Sequence, residues 1–255
     1  MPRFFVRSNQ IQDGIVTITG DDAHHISRSL RMAAGEHITV CDMQKNEYEC
    51  ELCEFLPDRV CARIISAFHS DTEPPYSVHV FQALPKGDKL DSIIQKSVEC
   101  AVTELTTFES ERCIARIKDG SEIKKVERRE RIALEAAKQS GRGIVPAIHP
   151  TVRFAEAIEQ AARADIPLFC YERDGTEPLA VVLHRLLPES DRLRTPKSPT
   201  ISVVIGSEGG FSQAEVAFVK EHGLIPVGLG KRILRTETAA SFVLACLVYE
   251  FELNR

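Results

Sequence analysis

The chain has 255 residues, 43% of them hydrophobic and 27% charged, with a formal net charge of -5, which is enough to bury one large core or two smaller ones. The acidic balance argues against a general nucleic-acid binder, no uncharged apolar run reaches the ~18 residues of a membrane span, and the opening MPRFFVRSNQ lacks the apolar stretch of a secretory signal, so a cytoplasmic protein with no membrane partner is expected. Eight cysteines without such a signal read as reduced thiols, not as a disulfide framework.

The first 70 residues hold four runs of strand character, GIVTITG, HITVCD, EYECELCEF and RVCARIISAF, rich in β-branched and apolar residues and punctuated by Gly14, Gly20, Gly35 and Pro57. They predict a small barrel. Between the first two runs, DDAHHISRSLRMAAGE suits a short helix that carries Arg28 and Arg31 and closes at Gly35. Cys50-x-x-Cys53, with Cys41 and Cys61 nearby, has part of a zinc pattern. The repeated CxxC spacing is missing, though, and the thiols sit in strands, where free cysteine packs as a small hydrophobe, so no metal is expected.

SDTEPPY, with its paired prolines, marks a linker over 71–76. From 77 onward strands and helices alternate, as in a mostly parallel sheet covered by helices. YSVHVFQAL is a strand, and Leu90, Ile93, Ile94, Val98, Ala101 and Val102 follow helical spacing. LTTFES is the next strand, followed by a basic helix from about Ser121 to Ser140 that stops at Gly141. FAEAIEQAARA and LAVVLHRLL read as helices around the strand IPLFCYE, and PESDRLRTPKSP reads as a loop. The last third runs strand TISVVIG, loop SEGGF, helix from Ser212, strand IPVGLG, loop KRILRT and a helix from about Glu237. Ser212 with Glu215 forms a capping box and Gly223 is a natural stop.

Residues 112 to 142 carry ten basic residues (Arg112, Arg116, Lys118, Lys124, Lys125, Arg128, Arg129, Arg131, Lys138 and Arg142) against Asp119, Glu122, Glu127, Glu130 and Glu135. The segment is thus +5 and the remainder -10. Either it is a solvated helix face with i,i+4 pairs such as Glu127 to Arg131, or it meets a polyanionic partner.

The loop in VVIGSEGGFSQAE matches neither phosphate-binding glycine pattern, and Glu208 would set a carboxylate beside any phosphate. Glycines still let backbone groups approach a flat ligand. S-adenosylmethionine, with adenine, ribose and a positive sulfonium, fits such a loop, and a plain strand-to-helix turn fits it too. A second loop, VGLGKRILRTETAA, repeats the arrangement, with Gly228 and Gly230 after a strand and Thr236 at a helix start.

HHISRSLRMAAGE, LPKGDKLDSIIQKSVECAVTEL, SERC, EAAKQSGRGIVP, IGSEGGFS and LGKRILRTETA together resemble the ribosomal RNA small-subunit methyltransferase E family of the SPOUT superfamily over nearly the whole chain. Ser207 and Lys231 stand where proline is expected. The resemblance implies an α+β chain with an N-terminal PUA-like RNA-binding β-barrel (1–70) and a C-terminal α/β SPOUT methyltransferase domain with a trefoil knot (77–255). It further implies a homodimer, and methyl transfer from S-adenosyl-L-methionine to N3 of a uridine in 16S rRNA of the small ribosomal subunit. The helix over 239–249, apolar on every face except Ser241, agrees with a buried or shared position.

The cofactor site then expected comprises Leu168, Cys170 and Tyr171 as a wall, with Ile205, Gly206, Glu208 and Gly209 from the first loop and Leu229, Gly230, Ile233, Leu234 and Thr238 from the second. Moving a methyl from a sulfonium needs alignment, plus a way to handle the uridine N3 proton. Arg235 and Glu237 are the nearest cation and base, although Glu in a first helical turn also simply complements the dipole. Arg7, Arg28, Arg31 and Arg142 are the expected RNA contacts. The competing reading is a non-catalytic RNA-binding ribosome assembly factor, which leaves both glycine loops without a task.

Overall fold

The computed structural model describes residues 1–116, 122–173, 175–186 and 198–254. Lys118, Asp119, the expected helix start at Ser121 and most of the 188–199 connector lie outside them. Two compact units emerge: Met1–Glu73 with Ala137–Val145, and Pro74–Ala136 with Pro146–Arg255. The boundary thus falls at 73/74, inside the expected linker, and a segment from mid-sequence joins the first unit.

That first unit is a six-stranded sheet of β1 (Arg3–Phe5), β2 (Ile11–Gln12), β3 (Ile15–Thr19), β4 (His37–Cys41), β5 (Asn46–Phe55) and β6 (Arg59–His69), in the order β1-β4-β5-β6-β3-β2. Asp13 and Gly14, both at positive φ (49 and 76), turn β2 into β3, the backbone twist that a two-residue hairpin prefers. No hydrogen bonds join β1 to β2 among the described residues, so the expected barrel is a curled, unclosed sheet. Curling is nonetheless strong: Phe4 from one edge and Val16 and Ile18 from near the other share one core with Ile38, Val40, Cys50 and Leu52. Helix α1 (Gly20–His24) continues as one wider turn, His25–Ser29. It ends at Ser29, short of Gly35, because Arg31 takes φ 52 and the Met32 N–H bonds back to the Ile26 carbonyl at 3.0 Å.

The second unit is a seven-stranded parallel sheet, β7 (Ser77–Ala83), β8 (Glu104–Glu109), β9 (Ala147–Arg153), β10 (Ile166–Cys170), β11 (Glu177–Pro178), β12 (Thr200–Ile205) and β13 (Ile225–Gly228). Its order is β11-β13-β10-β12-β7-β8-β9. Helices α2 (Lys89–Glu99), α3 (Glu122–Ser140), α4 (Phe154–Ala161), α5 (Leu179–Leu186), α6 (Gln213–Glu221) and α7 (Thr236–Val248) connect or follow the strands. Gly141, at φ 73, ends α3 as expected. Ser212 Oγ accepts the Glu215 N–H at 3.3 Å while the Glu215 carboxylate accepts the Ser212 N–H at 2.9 Å, so the capping box starts α6. Strand β9 escaped the sequence pattern because Pro150 argues against a central strand. It is tolerated here because β9 is an edge strand with a register shift between Thr106 and Phe108. Phe81, Phe108, Phe169 and Phe211 centre the core of this unit, and α7 packs along α2.

Candidate functional site

Ligands in open parallel α/β sheets bind beyond the carboxyl ends of the strands, and here the ends of β10, β12 and β13 do open onto a cleft of about 490 Å³. Both glycine loops line it. Of the residues expected at a cofactor site, Cys170, Tyr171, Ile205, Gly206, Glu208, Leu229, Gly230, Ile233 and Leu234 lie on its wall, and so does Arg235. The Cys170 thiol is buried, which pushes its pKa up to about 12 and leaves it protonated at neutral pH.

Leu168, Gly209 and Thr238 are placed elsewhere. Leu168 lies two residues deeper in β10, fully buried between its strand partners Val203 and Ile225. A Cβ on Gly209 would meet Arg112 Cβ and the Arg112 carbonyl, both at 2.9 Å, so this glycine permits loop-to-loop contact. Thr238 points to solvent, whereas Thr236 and Ala239, three residues apart and thus on one helix face, line the cleft.

Glu208 has a structural task. Its carboxylate accepts the Lys86 backbone N–H at 3.2 Å and the Lys89 ammonium at 2.7 Å, tying the loop after β12 to the start of α2. Burial pushes Glu208 up, but the Lys89 ammonium and nearby N–H groups outweigh it and hold the carboxyl below its ordinary range. Lys89 also lies 3.3 Å from Glu237 Oε2 at the start of α7. Glu237 is held low first by its own backbone N–H, against partial desolvation, and then by Lys89. Arg235 is 81% exposed and only 4.0 Å from Glu237, so its guanidinium is free to reach a ligand.

A second clasp is buried. Thr236 Oγ1 donates to the Gly206 carbonyl at 2.7 Å and accepts from Gln82 Nε2 at 2.9 Å, so the end of β7, the first loop and the start of α7 meet at one hydroxyl. Gly206 itself allows close packing, since a Cβ there would lie 2.9 Å from the buried Phe211 ring. Ser207 is buried and lines the cleft, its hydroxyl bonding nothing among the described residues. Ser207 and Gly228 adjoin residues that the motifs do mark. Gln82 and Lys89 are missed because they lie more than a hundred positions before the loops they hold.

In the first unit Arg7, Arg28 and Arg31 are exposed. Arg142 is not a surface contact: only 3% exposed, its guanidinium reaches both Glu73 oxygens, at 2.9 and 2.6 Å. A fork so engaged holds the chain together and is unavailable to phosphate. Within the basic segment Arg129 pairs with Glu122 and Lys138 with Asp22 at largely buried positions, whereas Arg116 pairs with Glu109 and Arg128 with Asp91 at exposed ones. The Cys50 and Cys53 side chains do not converge, Cys50 lying in the core and Cys53 exposed. No helix among the described residues is long and apolar enough to cross a membrane.

Residues 72–248 match the model of an RNA methyltransferase domain and residues 18–54 that of an RNA methyltransferase PUA domain. The chain is 33% identical to the ribosomal RNA small subunit methyltransferase E of Bacillus subtilis (strain 168), across 100% of this chain and 99% of that protein. Among solved structures it is similar to a ribosomal RNA small subunit methyltransferase E from Neisseria gonorrhoeae bound to S-adenosyl methionine, with 30% identity, TM-score 0.83 and 98% of each chain covered. It is similar also to a putative methyltransferase from Legionella pneumophila in complex with the cofactor SAM, with 27% identity, TM-score 0.82 and 97% of each chain covered. With matches along its whole length, the chain belongs to the ribosomal RNA small subunit methyltransferase E family.

Proposed function

We propose that this protein transfers a methyl group from S-adenosyl-L-methionine to N3 of a specific uridine in 16S rRNA, on the assembled small subunit, as a cytoplasmic homodimer with a trefoil-knotted second unit. The observation that carries the reading is the convergence of both glycine loops and the end of β10 on one cleft. Its volume of about 490 Å³ falls within the usual range for small-molecule sites. Three features fit the cofactor. Ser207 offers a buried hydroxyl with no partner among the described residues; Gly230, at φ 107 with open space at its Cβ position, leaves its backbone accessible; and Glu172 and Glu208 line the same wall as Lys89, Arg232 and Arg235, a mixed charge that suits a ligand with both a sulfonium and a carboxylate. Backbone groups of Gly206, Leu229 and Gly230 would hold it, with Tyr171, Ile233 and Leu234 as apolar walls. Bound there, S-adenosylmethionine supplies an activated methyl group on a sulfonium.

The protein's own work is alignment and charge control. Arg235, exposed on the rim, orients the uracil and stabilises the negative charge that develops as the N3 proton leaves. Glu237, already ionised and held by Lys89, is a weak proton acceptor. Its role is therefore to hold Lys89, leaving Arg235 free to reach the base, and the proton passes to solvent. Arg7, Arg28 and Arg31 bring phosphates to the first unit. The homodimer is supported by apolar side chains left exposed toward the carboxyl end, Phe242 at 39%, Tyr249 at 57% and Leu253 at 70%. Support for the knot comes from family membership and from the way α7 returns to α2 while Thr236 clasps Gly206.

The test is methyl transfer from labelled cofactor to purified small-subunit particles, followed by identification of the methylated nucleoside. Arg235→Ala is expected to lose roughly 100-fold in turnover, the scale of one preorganised electrostatic contact, at nearly unchanged cofactor affinity. Absence of calorimetric binding of S-adenosylmethionine to the wild-type chain would instead favour the non-catalytic assembly factor.

A further inference from the structure

At the opposite, amino-terminal end of the same sheet, three metal-ligating side chains stand together: His79 on β7, Glu104 on β8 and His149 on β9. Strand register puts them there. His79 pairs with Glu104, and Thr106, two residues on, pairs with His149. Paired residues in a parallel sheet share a face, as do residues i and i+2, so all four side chains project from one side. One donor atom from each of the three ligating residues lies within 4.8 Å of the other two. Glu104 Oε2 is 2.8 Å from His149 Nε2 and 3.8 Å from His79 Nδ1.

We propose that this cluster is a binding site for a divalent transition-metal ion of the zinc class, which pins the edge strand β9 to β8 and β7. Two imidazole nitrogens with one carboxylate oxygen suit zinc, nickel or cobalt, whereas calcium and magnesium take oxygen ligands. The outer contacts are those of a ligating histidine. His79 Nε2 lies 2.7 Å from Thr106 Oγ1, and the tautomer that donates this hydrogen bond turns the Nδ1 lone pair toward Glu104. Metal-bound imidazoles are oriented by such a bond from the other ring nitrogen. The His79 ring is further fixed by stacking on Phe81 at 4.0 Å between centroids. Glu104 and His149 are 45% and 41% exposed, so both have room to move to the donor–donor spacing of about 3.3–3.6 Å that tetrahedral bonds of about 2.0–2.2 Å require. Three protein ligands leave a fourth position open. Two of the three ligands, His79 and Glu104, also line a depression of about 180 Å³ beside Arg163 and Thr200, roomy enough for water.

The experiment uses the full chain freed of metal with a chelator and titrated with cobalt(II), whose visible spectrum reports ligand type. One ion per chain is expected, with bands of nitrogen and oxygen coordination and no thiolate charge-transfer band. Zinc chloride at about 100 times its dissociation constant should raise the melting temperature by roughly 5–10 °C. His149→Ala and Glu104→Gln, both at half-exposed positions, should each weaken binding about 10- to 100-fold or more, while Cys53→Ser should not change it. The proposal is overturned if the wild-type chain takes up no cobalt, if the spectrum is that of a thiolate site, or if folded His149→Ala and Glu104→Gln proteins bind as tightly as the wild type.

Discussion

Thr236→Val replaces the hydroxyl at the buried clasp with a methyl of nearly the same shape. Two hydrogen bonds are lost, the donation to the Gly206 carbonyl and the acceptance from Gln82 Nε2. Thr236 is 7% exposed and Gln82 fully buried, so water does not replace them. Gln82 keeps a 2.9 Å bond to the Ala83 carbonyl, and Gly206 keeps only a 3.4 Å contact with Gln82. One poorly satisfied buried carbonyl therefore remains, which costs about 1–2 kcal/mol. For a chain of this size that is a drop of roughly 2–8 °C in melting temperature. Cofactor affinity should fall as well, because the first loop is no longer fixed to the start of α7. Thr236→Ser keeps the oxygen and should restore most of both. Calorimetric unfolding and S-adenosylmethionine titration of the three proteins decide it, and equal melting and equal affinity in Thr236→Val and the wild type would refute the clasp.

Removing one partner of the Arg142–Glu73 pair leaves a buried, uncompensated charge, so Arg142→Met should destabilise the first unit by about 3–5 kcal/mol, measurable by urea unfolding and visible even without RNA. Reversing the charges of Arg28 and Arg31 should instead leave stability unchanged and flatten the salt dependence of small-subunit binding by about 0.9 log–log units per lost phosphate contact if duplex values apply. An unchanged slope would remove them from the RNA surface. Acid sensitivity should come from Asp42 and Glu47: burial raises both, but Asn46 and neighbouring N–H groups lower Asp42, while Arg3 and Ser70 lower Glu47. With folded values below unfolded ones, this stabilisation is complete above the ordinary values of 3.8 and 4.5 and is lost as pH falls through the depressed values. Melting followed from pH 6 to about pH 3 should thus fall less steeply in Asp42→Asn, where one of the two carboxylates no longer titrates.

Where hydrogen bonds are local, the sequence reads well. The α6 start was legible because Ser212 and Glu215 cap each other within one turn, and the stop of α3 because Gly141 supplies a positive φ. The cleft wall was legible at Gly206 and Gly230, since apolar strands run directly into both loops. What stayed hidden depends on distant partners. Arg142 looked like part of a basic surface because Glu73, which neutralises it, lies 69 positions earlier. The end of α1 was misplaced because Arg31, an ordinary residue, takes the left-handed turn that Gly35 was expected to make. Pro150 disguised β9, and only the strand order reveals it as an edge.

The carboxylate in the glycine loop makes sense once its partners are known. Glu208 and Glu237 share one ammonium, that of Lys89, so the three side chains carry a net charge of -1 where two loops and a helix start meet. The cleft wall also carries Glu172, Arg232 and Arg235, so it presents both signs of charge, which suits a ligand that brings a sulfonium and a carboxylate of its own. Each carboxylate is also held ionised by hydrogen bonds that exist without a ligand, from the Lys86 N–H to Glu208 and from its own N–H to Glu237. The Glu208–Lys89–Glu237 arrangement is therefore set in advance, and little of it remains to be ordered when a ligand arrives. The same arrangement uses Glu237 in a way that leaves it a poor base. In the proposed reaction the burden of the uridine anion then falls on Arg235, the neighbouring cation that no ion pair shorter than 4.0 Å restrains among the described residues.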